Sequence, residues 1–310
     1  MTTQEIYELA ISQGVKADLR GEAFVQRHLD KLRKKYEDLS EKEKLAFDQE
    51  SLTNPYSDSR VLCSTVNKEI KKILVGIDIE GPELLYANQR KDIDLVIAHH
   101  PEGLALADLS SVMHLQAQVL AQYGVPINVT ESVIQSRISE VTRGVSPINH
   151  QRSVDLARLL GLDFMCLHTP ADNLSARFVM EAIAQEGDKL ETVGELIEFL
   201  KTIPEYAMAE KQKAGPKIFA GTPERSLGKV VVTEFTGGTS GSKDIYEKMS
   251  QYGIGTVIGM HMSEEHRKEA EKHHINVIIA GHMSSDSLGM NLLLDEIEKQ
   301  GIEIVAISGL

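Results

Sequence analysis

Three short polar clusters in this chain each follow an apolar run: His99-His100-Pro101, His168-Thr169-Pro170-Ala171-Asp172 and His282-Met283-Ser284-Ser285-Asp286. Imidazole and carboxylate together suit zinc, iron or manganese, whereas carboxylate and carbonyl oxygens alone would suit magnesium. Adjacent side chains of a strand point to opposite faces. His99 and His100 are therefore poorly placed to clamp one ion from one side. They suit two ions, one nitrogen each, or one ligand plus one structural neighbour. His282 and Asp286 are four apart, so on a helix or turn they face the same way and can share an ion. Together the clusters offer three histidines or more and two carboxylates, enough for two ions about 3.5–4 Å apart bridged by a carboxylate and a water. Two Lewis acids would lower that water's pKa toward neutrality and make it a nucleophile. The blander alternative has His99 and His100 in a solvent-facing loop, with His168 and His282 only capping neighbouring loops.

The elements that must position these clusters are strands. Leu95 to Ala98 reads as a short buried strand that Pro101 stops, because proline gives no N–H to a ladder. Phe164 to Leu167 is a strand ending at His168, and Val277 to Ala280 precedes Gly281-His282. Sites in open α/β sheets collect outside the carboxyl ends of the strands, so three clusters at equivalent positions weigh more than any one. From Ile73 onward strand and helix patterns alternate, which predicts an α/β fold: two α/β lobes of mixed or largely parallel sheet facing a shared metal-containing cleft, with an N-terminal helical extension. The other expected strands cover residues 73–77, 126–129, 229–233, 256–258 and 303–307.

The expected division is a helical extension over 1–70, a first lobe over 71–190, a connector over 191–228 punctuated by Pro204, Pro216 and Pro223, and a second lobe over 229–310. The extension opens with a capping box, Thr2 and Glu5, ahead of Ile6, Leu9 and Ala10 at helical spacing. It contains no ligand cluster, so it reads as a solvated helical appendage, with an oligomer contact or a lid as the alternatives, and its first 60 residues are expected to be dispensable for metal binding.

Composition narrows the function classes. Lys and Arg number 33 against 46 Asp and Glu, a net charge of −13, which argues against a broad phosphate-backbone surface and hence a nucleic-acid partner. No apolar run approaches the roughly 20 residues a membrane helix needs. The start has no secretory pattern, and two cysteines, Cys63 and Cys166, make no disulfide framework. A cytoplasmic location is the expectation. Cys166 falls inside an apolar strand, where a thiolate is disfavoured. The glycine-rich run Thr236-Gly-Gly-Thr-Ser-Gly-Ser242 lacks the lysine of a P-loop and is not a G-x-G-x-x-G, so it reads as a tight strand-to-helix turn rather than a phosphate cradle. His261, His266, His273 and His274 lie among Glu and Lys residues and read as solvated; His150 reads as a local cap, and Arg143 or Arg152 could serve at a rim.

The motifs His99-His100-Pro101, His168-Thr169 with Asp172, and Gly281-His282 with Asp286 resemble the signature of the GTP cyclohydrolase I type 2 homologue family, also called the NGG-interacting-factor-three-like (NIF3-like) family. The resemblance spans about residues 70 to 310. It implies a dinuclear site held by His99, His100, Asp172, His282 and Asp286, with His168 a near neighbour, and a homo-oligomer, commonly a toroidal hexamer. The family's late acid is usually Glu. Asp286 is one methylene shorter, so as a bridge it would require the ions or the loop to shift. The helical stretch before residue 70 lies outside the family's pattern. The resulting expectation is a hydrolase with two divalent ions (zinc, iron or manganese) acting on a small phosphorylated or nucleotide-like substrate through a metal-bound hydroxide. The alternative is a non-catalytic metal-binding assembly or regulatory protein. The activity in the family's name is not expected here, since the chain shows no purine-reading motif.

Overall fold

The computed structural model describes residues 1–310, the side chain of Asp188 excepted. The strands are β1 (Arg60–Cys63), β2 (Lys72–Gly76), β3 (Leu95–Ala98), β4 (Asp163–Cys166), β5 (Lys217–Ala220), β6 (Lys229–Val232), β7 (Ile254–Gly259), β8 (Asn276–Ile279) and β9 (Glu303–Ile307). They form two sheets, ordered β1-β4-β3-β2-β9 and β5-β8-β7-β6. Neighbours are parallel throughout, except that β1 runs antiparallel to β4 and β5 antiparallel to β8. The two-lobed α/β expectation therefore holds.

Strands β3 and β4 are buried at every position, which is why their sequences are apolar runs rather than alternations. On one face Ile73, Val75, Ile97 and Met165 meet Ile6, Tyr7 and Ala10 of the Thr3–Ala17 helix. On the other, Leu74, Val96 and Phe164 meet Leu84 and Ala157, from the Gly81–Arg90 and Arg152–Leu160 helices.

Two long helices tie the sheets together. The Thr169–Glu186 helix places Ala171 in the core of the first sheet and Val179 in that of the second. The His282–Glu298 helix does the same with Leu293 and Leu288. They cross so closely that any side chain at Gly289 would collide with the Ala171 carbonyl.

Several expectations are corrected. The first helix is no solvated appendage: Ile6 and Ala10 are wholly buried, and a Cβ on Gly14 would lie 2.6 Å from the Pro170 Cα. Its small and apolar residues at helical spacing form a packing face, whereas the charged texture belongs to the Glu22–Glu37 and Glu41–Ala46 helices. Residues 1–70 also contain a strand, β1, which completes the first sheet. Residues 126–129 open a helix, Ile127–Val145, because Pro126 stands at its N-terminal boundary, where no N–H is needed. Strand β9, expected with the second lobe, pairs with β2, setting Lys72 opposite Glu303. Among the described residues no helix is long and apolar enough to cross a membrane.

Candidate metal centre

The residues that follow β3, β4, β7 and β8 meet at one place. The ladder of β3 is extended by the His99 and His100 amides, which donate to the Gly76 and Ile77 carbonyls. Strand alternation then buries His99 completely and leaves His100 part-exposed. Ring centroids lie 4.9 Å apart for His99 and His168, 5.3 Å for His100 and His282, and 5.1 Å for His261 and His282.

Three of the imidazoles are held in the same manner. His99 Nδ1 is 3.1 Å from the Leu167 carbonyl oxygen, His100 Nδ1 is 2.7 Å from Asp78 Oδ1, and His168 Nδ1 is 2.8 Å from Asp58 Oδ2. Each partner is an acceptor, so each Nδ1 carries the proton and each Nε2 offers its lone pair, the arrangement that orients a metal-binding histidine. The Nε2 atoms converge on two carboxylates. His99 Nε2 lies 3.4 Å from both Asp172 Oδ1 and Asp286 Oδ1. His100 Nε2 and His282 Nε2 each lie 3.5 Å from Asp286 Oδ2, and His168 Nε2 lies 3.8 Å from Asp172 Oδ2.

Four of these atoms, His99 Nε2, Asp172 Oδ1 and both Asp286 oxygens, are buried without any hydrogen-bond partner. Burying a charged group unpaired is costly, and such groups ask for a missing partner. Metal cations are partners of the kind these atoms lack. The ligand atoms of His99, Asp172 and Asp286 lie within 4.8 Å of one another, as do those of His100, His282 and Asp286, and those of His99, His100 and His168.

The electrostatics agree. Burial alone would lower the pKa of His99, but the Asp286 and Asp172 charges outweigh it and raise it to about 10. His168 is likewise raised against its burial, by Asp172 and Asp58. Asp286 is held well below the usual carboxylate range by His99, His100 and His282, although burial opposes its ionisation. Burial, then the neighbouring His282, pushes His261 down to about 4, and His282 itself is lowered mainly by burial. Without a metal, a proton on His99 supplies the positive charge that the two carboxylates need.

All five residues singled out from the sequence, His99, His100, Asp172, His282 and Asp286, are brought together, with His168 beside them. Sequence reasoning missed Asp58, Asp78 and His261. Asp78 and His261 follow β2 and β7 closely, so the rule of strand ends could have found them; Asp58 carried no such signal. His266 is not solvated, as was expected, but buried: its Nε2 lies 3.0 Å from the Gly241 carbonyl oxygen and its Nδ1 2.7 Å from Ser263 Oγ. His150 makes the expected local contact, to the Val145 carbonyl. Arg143 pairs with Ser139, and Arg152 lies toward Glu80. Burial pushes the Cys166 thiol up to about 12, leaving it inert.

Fold and cluster together define a two-sheet α/β protein with a His/Asp group able to hold metal. No family model and no curated protein matches the sequence, but solved structures do. The chain is similar to a NIF3 superfamily protein from Sphaerobacter thermophilus, 30% identical over 82% of this chain and 92% of that one, with a TM-score of 0.74. Its fold is also similar to that of reduced HcgD from Methanocaldococcus jannaschii, at 13% identity, a TM-score of 0.50, and coverage of 80% of this chain and 87% of that one. The chain belongs to the NIF3 superfamily.

Proposed function

We propose that this protein binds two divalent transition-metal ions and uses them to hydrolyse a small phosphorylated or nucleotide-like molecule. The observation that carries the reading is the set of four buried, unpartnered atoms on His99, Asp172 and Asp286. One ion would be held by His99, Asp172 and Asp286, the other by His100, His282 and Asp286, two groups that share the Asp286 carboxylate. An aspartate suffices as the shared acid because its two oxygens already face different imidazoles, Oδ1 toward His99 and Oδ2 toward His100 and His282. When bound, such ions supply Lewis acidity and activate water at neutral pH.

The chain's own contribution is orientation. Asp78 fixes the tautomer of His100 through Nδ1. Asp58 fixes His168, which in turn stands against Asp172. Burial of His99 and Asp286 keeps bulk water from competing with the metal for these groups. A small-molecule substrate, a homo-oligomeric assembly and a cytoplasmic location belong to the same proposal.

Elemental analysis of protein purified without chelator or affinity metal tests it, followed by a screen of the loaded protein against phosphoesters, cyclic nucleotides and amides. Close to two ions per chain and turnover of a phosphoester are expected. No retained metal after reloading with zinc, manganese and iron in turn refutes the site, and full loading without turnover of any class refutes the hydrolase.

A further inference from the structure

The glycine-rich segment Thr236–Ser242 is tied down from one side. Gln116 Nε2 donates to the Gly237 carbonyl at 2.9 Å and also to the Thr239 carbonyl. Arg137 Nε donates to the Ser240 carbonyl at 3.0 Å, and His266 Nε2 to the Gly241 carbonyl at 3.0 Å. The Thr236 hydroxyl donates to Asn173 Oδ1 at 2.6 Å. Two consecutive glycines make this course possible, with φ of +91° at Gly237 and +87° at Gly238. Four carbonyls are thus engaged by Gln116, Arg137 and His266. Among the described residues, the amides of Gly237, Gly238 and Ser240 have no acceptor.

Between this segment and the candidate centre lies a cavity of about 20 Å³, lined by Asp172, His261 and His282 on one side and by Thr236, Gly238 and Thr239 on the other. That is room for about one oxygen-sized group. Its walls are complementary in what they lack. Asp172 Oδ1, buried and unpartnered, calls for a cation, and the amide of Gly238, the one of Gly237, Gly238 and Ser240 that borders the cavity, offers an N–H to an anion. Glu234 also borders the cavity, but its Oε1 already accepts from the Gly241 amide and burial raises its pKa, so it opposes an anion weakly.

We infer that the Thr236–Ser242 segment is an anion cradle, which receives an anionic oxygen of the ligand while the metal centre receives its neighbour. The inference rests on the metal reading above and extends it: the segment selects ligands that carry a phosphate-like oxyanion. It adds a ligand role to the strand-to-helix turn expected there.

The test is calorimetric titration of the zinc-loaded full chain with inorganic phosphate, with zinc content read on the same samples. Gln116→Met releases two of the carbonyls. Gly238→Ala places a Cβ 3.0 Å from Val112 Cγ1 at a φ that L residues rarely adopt. Arg137→Met, on the outer side of the segment, serves where either of these fails to fold. Each folded variant is expected to keep its zinc and to bind phosphate at least fivefold more weakly. Equal phosphate affinity in wild type and variants assigns the anion to the metal alone and overturns the cradle. So does a zinc-loaded wild type that binds no phosphate. A wild type that retains no zinc refutes instead the metal reading on which the cradle stands.

Discussion

Replacing Asp286 by asparagine keeps the shape of the side chain and removes one negative charge from the middle of the cluster. Asp286 is 1% exposed, with its oxygens 3.4–3.5 Å from the Nε2 atoms of His99, His100 and His282. Neither oxygen has a hydrogen-bond partner to lose, so the change is almost purely one of charge. A pair of unit charges about 4 Å apart is worth about 4 kcal/mol at an effective dielectric constant of 20. A divalent ion doubles that gross figure, and relief of the buried carboxylate's desolvation takes part of it back. A net loss of about 4 kcal/mol corresponds to roughly a thousandfold weaker metal binding. Competition with a chromophoric chelator measures it directly. The metal-free variant should also melt below metal-free wild type at neutral pH, because protonated His99 loses its main carboxylate partner. Unchanged metal affinity, or a large loss of metal-free stability with affinity intact, would refute the reasoning, because Asp286 would then be a structural anchor.

Four further outcomes follow from the same geometry. In the metal-free protein His99 is raised from 6.5 to about 10, so its stabilisation is complete below about pH 6.5 and is lost as pH climbs toward 10. The melting temperature should fall across that window without metal and stay nearly level with it. Asp78→Asn weakens the carboxylate partner of His100, and should lower metal affinity about 10- to 100-fold, with chelator competition as the readout. Removal of residues 1–60 should abolish cooperative melting, because Ile6 and Ala10 are wholly buried against the first sheet; a folded truncation would contradict this. His266→Ala should cost about 1–3 kcal/mol in denaturant unfolding, from two lost partners at a buried site, while metal content stays at the wild-type level.

How much of this was legible beforehand depended on the range of the interaction. An apolar run broken by His99-His100-Pro101 is a local signal, and the strand end it marks is where the structure puts it. The same holds for the segments that follow β4 and β8, which carry Asp172 and Asp286. Asp58 was not legible, because its value comes from meeting His168 across the fold, and nothing near it in sequence announces that meeting. Strand β1 is four residues long and only partly buried, so it gives no clear period. The misreading of the first helix had a different cause. Charge-rich neighbours after Glu22 coloured the whole stretch, although Ile6, Ala10 and Gly14 already described a close-packing face. His266 misled for the same reason: one side of its helix is charged, and the other is pressed against Gly241.

Strand β9 bears on how the molecule comes into being. It pairs with β2 although residues 77–302 lie between them. During synthesis β2, β3 and β4 emerge first, bringing His99, His100 and later Asp172, while the helix bearing His282 and Asp286 follows about a hundred residues after Asp172, immediately before β9. A nascent chain on the ribosome therefore presents half a cluster beside an open sheet edge. Pairing over such a distance in sequence is slow, and an unpaired edge is prone to aggregation while it waits. The pairing that covers β2 follows directly on the helix that brings Asp286 to His99, so completing this side of the sheet and completing the cluster go together.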